Sequence, residues 1–321
     1  MHAIDMRFRA GLLTLAAIAI AAPISEGQAA EGEIERTISI IELRHGPDSS
    51  SLTVDYLKAL RSAFQEENKG DYILVPVKTA ADKLGKKRAQ VPGSITAERR
   101  TSLSEAKKMG VQYLDKADAV NAIKALNAAK SKYRPALAAP GADAALRKEY
   151  LDVLAQLATA HVVAGEKDNA AEVFREVITT FGLKAPITDD FYRPDVVEIF
   201  NSVVKDVMAL KKGSIDVSSS PLGATIILNG ADRGKSPSQV PDLLPGDYSL
   251  RLQRGSDSSM LHTVRVDGGQ VSKVNIDIPF ESHLVLDENS VGLSYKDMDE
   301  ATKRIPLDAM TLGRAVELNL V

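Results

Sequence analysis

The sequence predicts a multi-domain α+β chain: an N-terminal α/β layer, α-helical hairpins, an antiparallel β-sandwich and a short C-terminal α/β segment. Three observations predict it. Residues 213–278 alternate with a period of two between regularly spaced Gly, Pro and Asn turns, the mark of short antiparallel strands. Residues from Thr101 to about Leu210 carry a helical period instead. The flanks on either side mix single apolar strands with amphipathic helices. The expected divisions are 1–30, 31–95, 101–211, 213–280 and 281–321.

Residues 1–30 read as a Sec-type signal peptide. Arg7 and Arg9 precede an apolar run from Gly11 to Ala22, followed by Pro23 and small residues ending at Ala29-Ala30, before Glu31. The run is short of the ~20 residues that cross a bilayer, so cleavage is expected at Ala29 or Ala30, with an uncleaved anchor as the alternative. Asp5 is awkward in an n-region, which makes initiation at Met6 a second option. The chain has no cysteine, which excludes lipoprotein acylation, disulfides and thiolate metal sites. Hydrophobic residues at 44% and charged residues at 26% favour folded domains. A net charge of -3 gives no reason to expect a nucleic-acid partner.

In the first layer, Thr37–Leu43 and Tyr72–Val77 read as strands, Leu52–Phe64 as an amphipathic helix, and a second helix starts near Ala80. The basic stretch from Lys86-Lys87-Arg88 to Arg99-Arg100 reads as a solvated linker, with contact to an acidic envelope polymer as the minor alternative.

The helical segment contains one pattern twice. Ala106, Met109, Gly110, Tyr113, Ala122, Leu126 and Ala129 correspond in spacing to Leu154, Leu157, Ala158, His161, Ala170, Phe174 and Val177, offset by 48 residues (Gly110 to Ala158). Small residues at Gly110, Ala122, Ala158 and Ala170 let paired helices approach closely, while the larger ones fill the space. The pattern resembles the tetratricopeptide repeat, a helix-turn-helix unit of about 34 residues. The extra length falls in the loop Pro135–Asp143, and a helix opened by Pro194 would close the stack. This resemblance implies protein–protein contact or spacing.

In the β-segment, strand Ser214–Ser219 leads into Pro221-Leu222-Gly223-Ala224, then Thr225–Leu228 and the turn Asn229-Gly230. Gly234, Pro237 and Pro245-Gly246 punctuate the next stretch; Tyr248–Leu252, His262–Asp267 and Ser272–Ile278 resume the alternation. These residues resemble the PEGA domain, a small β-sandwich, with Leu222 standing where its signature has Glu; the resemblance spans roughly a fifth of the chain. It implies a bacterial envelope or surface protein and no general ligand. Candidate contact residues are Pro221, Leu222, Gly223, Ala224, Gly230, Gly234 and Pro237, all of them turn-formers first.

After the sandwich, Ser282–Tyr295 reads as strand, Pro306 opens a helix through Glu317, and Leu318–Val321 begins another strand. This piece either completes the first α/β layer or stops short of a full domain; the second reading is slightly preferred.

No constellation points to catalysis, a cofactor or a metal. Beyond the signal segment the histidines are His45, His161, His262 and His283. His161 falls at a helix-packing position, while His262 and His283 sit at strand starts with no carboxylate or second histidine at metal spacing. His45, in a loop after a strand, is the best single site candidate, though Gly46-Pro47-Asp48 is itself turn chemistry. Gly230–Ser236 ends in Gly-Lys-Ser without phosphate-loop spacing. Asp190, beside Asp189, reads as a helix cap. The expectation is an exported, non-enzymatic scaffold of the periplasm or cell envelope with envelope-protein partners. Alternatives are a carbohydrate or peptidoglycan binder, and a hydrolase using His45 and carboxylates of the first layer.

Overall fold

The computed structural model describes residues 37–38, 42–45, 59, 62–63, 66, 73–74, 77–85, 88–91, 93–286, 291–295 and 298–315. The signal-like segment, most of the helix expected at 52–64, and the strand expected at 318–321 lie outside the described residues. Two compact units form: 1–88 with 280–321, and 89–279. The mixed α+β class stands.

In the first unit, β1 (Thr37–Ile38) pairs in parallel with β3 (Ile73–Leu74). β2 (Glu42–His45) joins a second sheet, of order β13-β14-β2, whose other strands are β13 (Leu284–Leu286) and β14 (Val291–Tyr295). β14 runs parallel to β2, with Tyr295 opposite His45. The C-terminal piece therefore adds strands to the N-terminal layer, the less favoured of the two sequence readings. Strand pairing between segments some 250 residues apart carries no signature in either.

His45 is the last residue of β2, not a loop residue. Helix α1 spans Val77–Gly85 and buries Ala80 and Leu84.

β4 (Arg88–Ala89) leads to five helices: α2 (Ala97–Asp115), α3 (Ala119–Ala136), α4 (Ala144–Val163), α5 (Lys167–Phe181) and α6 (Pro194–Met208). Side chains start three of them. Thr96 accepts from Arg99 N (3.2 Å), Asp118 from Asn121 N (3.2 Å) and Asp143 from Leu146 N (2.8 Å), satisfying donors a helix leaves orphaned. Helix α6 starts on Pro194 with Arg193 at its cap position. Asp190 therefore does not cap it: proline already lacks an N–H, and Asp195 accepts from Val196 N instead.

Each helix packs on the next, and α2 also meets α4 as α4 meets α6. A Cβ added at Gly110 would lie 2.6 Å from Leu126 Cδ2, so the α2–α3 crossing depends on a missing side chain. Leu126, Tyr133, Tyr150 and Phe174 are wholly or almost wholly buried there. Phe174 meets Phe200 edge-on at 5.3 Å.

The β-region follows directly. Its strands are β5 (Gly213–Ser220), β6 (Thr225–Leu228), β7 (Ala231–Lys235), β8 (Ser238–Leu243), β9 (Gly246–Arg254), β10 (Asp257–Ser258), β11 (Leu261–Val266) and β12 (Val271–Asp277). One sheet carries the order β11-β9-β6-β7, with β10 on β9; the other is β12-β5-β8. Pairing is antiparallel except that β12 runs parallel to β5, because the turn after β11 carries the chain from one sheet to the other. Ile215, Val217, Ile226, Leu250, Leu252, Val266 and Ile276, drawn from both sheets, share one core.

Strands β7 and β8 carry no alternating pattern in the sequence. β7 is exposed along most of its length, so nothing enforces alternation, and β8 is an edge strand that tolerates Pro241.

The chain returns to the first unit through α7 (Ile278–His283). Helix α8 runs Met298–Ala315, starting eight residues before Pro306. Pro306 does not open this helix, as the sequence suggests, but sits inside it; the helix packs by Ala301, Ala309 and Leu312.

Candidate functional site

The turn residues singled out in the sequence separate into two places. Pro221–Ala224 and Ser236-Pro237 converge at one end of β6. Gly223 N donates to Ser236 O (2.8 Å), Ser236 N to Ala224 O (2.8 Å), and Ala224 N to Ser236 Oγ (3.2 Å). Ser219 Oγ lies 2.5 Å from Ser236 Oγ and also donates to Pro221 O. Ala224 is fully buried, and Leu222 alone of this group presents a large apolar side chain, 64% exposed. Gly234, with φ 95°, lies in open space on β7.

Gly230 is at the opposite end of β6, against the helices. At φ 73° it suits glycine, and an added Cβ would lie 2.8 Å from Leu137 Cβ and 2.9 Å from Leu137 O. Its neighbour Asn229 holds the same junction. Asn229 Oδ1 accepts from Ser249 N (2.8 Å), and its carbonyl accepts from the Arg147 guanidinium. Arg147 also donates to Thr180 O at 3.1 Å and lies 5.0 Å from the Phe181 ring centroid. Helix α5 has no basic residue in its last turn, so Arg147 from α4 supplies the cation that its carbonyl end favours. Burial, then the charge of Arg233, lowers the Arg147 pKa.

Beside this junction a cleft of about 510 Å3 opens between α3, α5 and the start of β9. Helix α3 contributes Lys130 and Arg134, one turn apart; α5 contributes Glu172, Arg175, Glu176 and Thr179, which share a face. Asp247, Ser249 and Arg265 form the opposite wall. Most of these charges are matched. Lys130 Nζ lies 2.5 Å from Glu176 Oε2, Arg175 pairs with Glu172, and Arg265 reaches Asp247 (3.4 Å) and Asp267 (3.5 Å). Arg134 alone among the cleft cations has no carboxylate within ion-pair reach among the described residues. The floor is Tyr150, whose hydroxyl donates to Glu176 Oε1 at 2.5 Å; burial and that carboxylate raise its pKa. Tyr248 donates to Leu244 O (2.9 Å) and burial pushes it up to about 12. A wall of satisfied ion pairs around one unmatched arginine suits a polar partner surface.

None of the sequence candidates except the vicinity of Gly230 lies at this cleft. Lys130, Arg134 and Arg175 have no sequence signal because surface charges on amphipathic helices carry no motif. The one available signal was Arg147, a cation beside Leu146 and Tyr150 in an otherwise apolar stripe.

His161 is buried with Nδ1 2.7 Å from Glu166 Oε2, and His262 is buried on β11. His283 ends helix α7 rather than starting a strand, and its carboxylate neighbours are Asp308 and Glu300. Both arrive from a helix more than 15 residues downstream, beyond any local spacing rule. Among the described residues no cluster of three or more His, Cys, Asp or Glu side chains fits a metal ion, and no helix is long and apolar enough to cross a membrane.

Residues 212–282 match the family model of the PEGA domain. The match contains all eight strands β5–β12, together with Gly230 and the Arg147-bound carbonyl of Asn229. PEGA domains are typical of extracellular or envelope proteins. No curated protein and no solved structure matched the chain.

Proposed function

We propose that this protein is an exported, non-enzymatic scaffold of the bacterial cell envelope, in which tetratricopeptide-like helices and a PEGA β-sandwich act as one partner-binding body. The observation that carries the reading is the cleft at their junction, built on the Arg147 staple. The PEGA match supports the envelope assignment, and Arg7, Arg9 and the apolar run to Ala22 support export. The packing of α2 on α4 and of α4 on α6 supports a stacked helical-hairpin reading. Matched charges around an unpaired Arg134 favour a protein surface over a glycan, which is bound mostly by stacked aromatics.

The test is crosslinking in intact envelopes, comparing wild type with an Arg134→Glu/Arg175→Glu double variant. A defined protein complex, lost in the variant while its circular dichroism spectrum is kept, supports the scaffold. Retention on purified wall polymer without a crosslinked protein overturns it in favour of a glycan binder.

A further inference from the structure

In the first unit, away from the cleft, one ionisable group is held in a way that its neutral form cannot satisfy. His283 ends α7, and both its ring nitrogens face carboxylates of α8. Nδ1 lies 2.9 Å from Asp308 Oδ2, and Nε2 lies 3.2 Å from Glu300 Oε1. Asp308 is 0% exposed, and it also accepts from Tyr295 OH (3.1 Å) on β14 and Arg304 Nη2 (2.6 Å) on α8. The imidazole packs on the Tyr295 ring with centroids 4.6 Å apart.

The charges around it come from each neighbouring element. Asp308, Glu300 and Arg304 belong to α8, and Tyr295 to β14. Glu281, two residues earlier on α7, is paired with Arg88 at 3.2 Å. Helix α1 turns Ala80 and Leu84 inward and leaves Lys78, Asp82 and Lys83 exposed.

A neutral imidazole has one N–H and one lone pair. It can donate to Asp308 or to Glu300, and its remaining nitrogen then points a lone pair at the other carboxylate. Only the imidazolium donates to both. With His283 protonated, Asp308 Oδ2 and Glu300 Oε1 each accept an N–H; without that proton one of the two contacts sets a lone pair against a carboxylate oxygen, beside a buried aspartate.

We propose that His283 is a proton-controlled latch that holds helix α8 on the β13–β14 strands and releases it when the imidazole loses its proton. Burial opposes the charged ring, but the hydrogen bonds and charges of Asp308 and Glu300 outweigh it, and the His283 pKa is raised above 6.5. A raised histidine contributes stability fully below its ordinary value, and that stability is lost as pH rises through the folded-state value. The latch is closed in acid and opens toward alkaline pH.

The test is hydrogen exchange of peptides covering 298–315 in the full chain, at about pH 5.5 and about pH 8.5, corrected for intrinsic exchange rates. In wild type, protection of α8 falls with rising pH, by up to about tenfold per pH unit within the titration window. His283→Gln, which cannot be protonated, removes this step and leaves protection at the wild-type alkaline level. Glu300→Gln gives the neutral ring an amide donor in place of a carboxylate, so α8 loses less protection at alkaline pH than in wild type. That variant keeps the proposal falsifiable if His283→Gln fails to fold. Equal corrected protection in wild type at both pH values overturns the latch, as does a pH step of undiminished size in Glu300→Gln.

Discussion

Replacing Arg147 by Met removes the guanidinium that fastens the helices to the β-region while keeping a side chain of similar length. Two carbonyls lose their charged donor, Asn229 O and Thr180 O. A hydrogen bond to a charged group contributes about 1.5–3 kcal/mol. The ring contact with Phe181 adds about 0.5–1 kcal/mol. Against this, the variant no longer desolvates a cation, the cause of the lowered Arg147 pKa. The balance is a loss of about 2–4 kcal/mol, which lowers the melting temperature by roughly 5–15 °C in a unit of this size. Because the contact joins two sets of elements, the loss should also uncouple them. Urea unfolding followed by far-UV circular dichroism, which reports mainly the helices, and by hydrogen exchange of β9 should coincide in wild type and separate in the variant. Arg147→Lys should fall between, since one ammonium cannot span both carbonyls. An Arg147→Met protein with an unchanged midpoint and coincident probes would refute the staple.

Three further outcomes rest on packing. Gly230→Ala should cost about 3 kcal/mol and Gly234→Ala about 1 kcal/mol in chemical denaturation; both have positive φ, but only Gly230 faces the Leu137 backbone. Leu126→Ala should cost about 2–5 kcal/mol, measured the same way, because Leu126 is fully buried where Gly110 lets α2 approach. Ser236→Ala should cost about 1–3 kcal/mol by leaving Ala224 N and Ser219 Oγ short of a partner, whereas Leu222→Glu, at an exposed tip, should change stability by less than about 0.5 kcal/mol.

Much of the fold was legible because it is written in local periods. The alternation at Ser214–Ser219, the helical pattern repeated from Gly110 to Ala158, and Pro194 at the start of α6 each need only nearby residues. Failures came where a residue has two local meanings. Proline opens helices and also interrupts them, so Pro306 is ambiguous, and Asp190 is a good cap for a helix that already begins on proline. The candidate contact residues stand out by their turn chemistry and mostly serve turns, with Gly230 pressed on Leu137.

By itself the sequence determined the α+β class, five of the strands in the segment that matches the PEGA domain, and the absence of cysteine chemistry. Those properties depend on composition and on contacts a few residues apart. Tertiary structure decided that β14 lies beside β2, that Arg147 ends α5 and holds Asn229, and that His283 sits between Asp308 and Glu300. The partners in each case are 17 to about 250 residues apart, and hydrogen bonding and charge act through distance in space, which chain spacing does not encode.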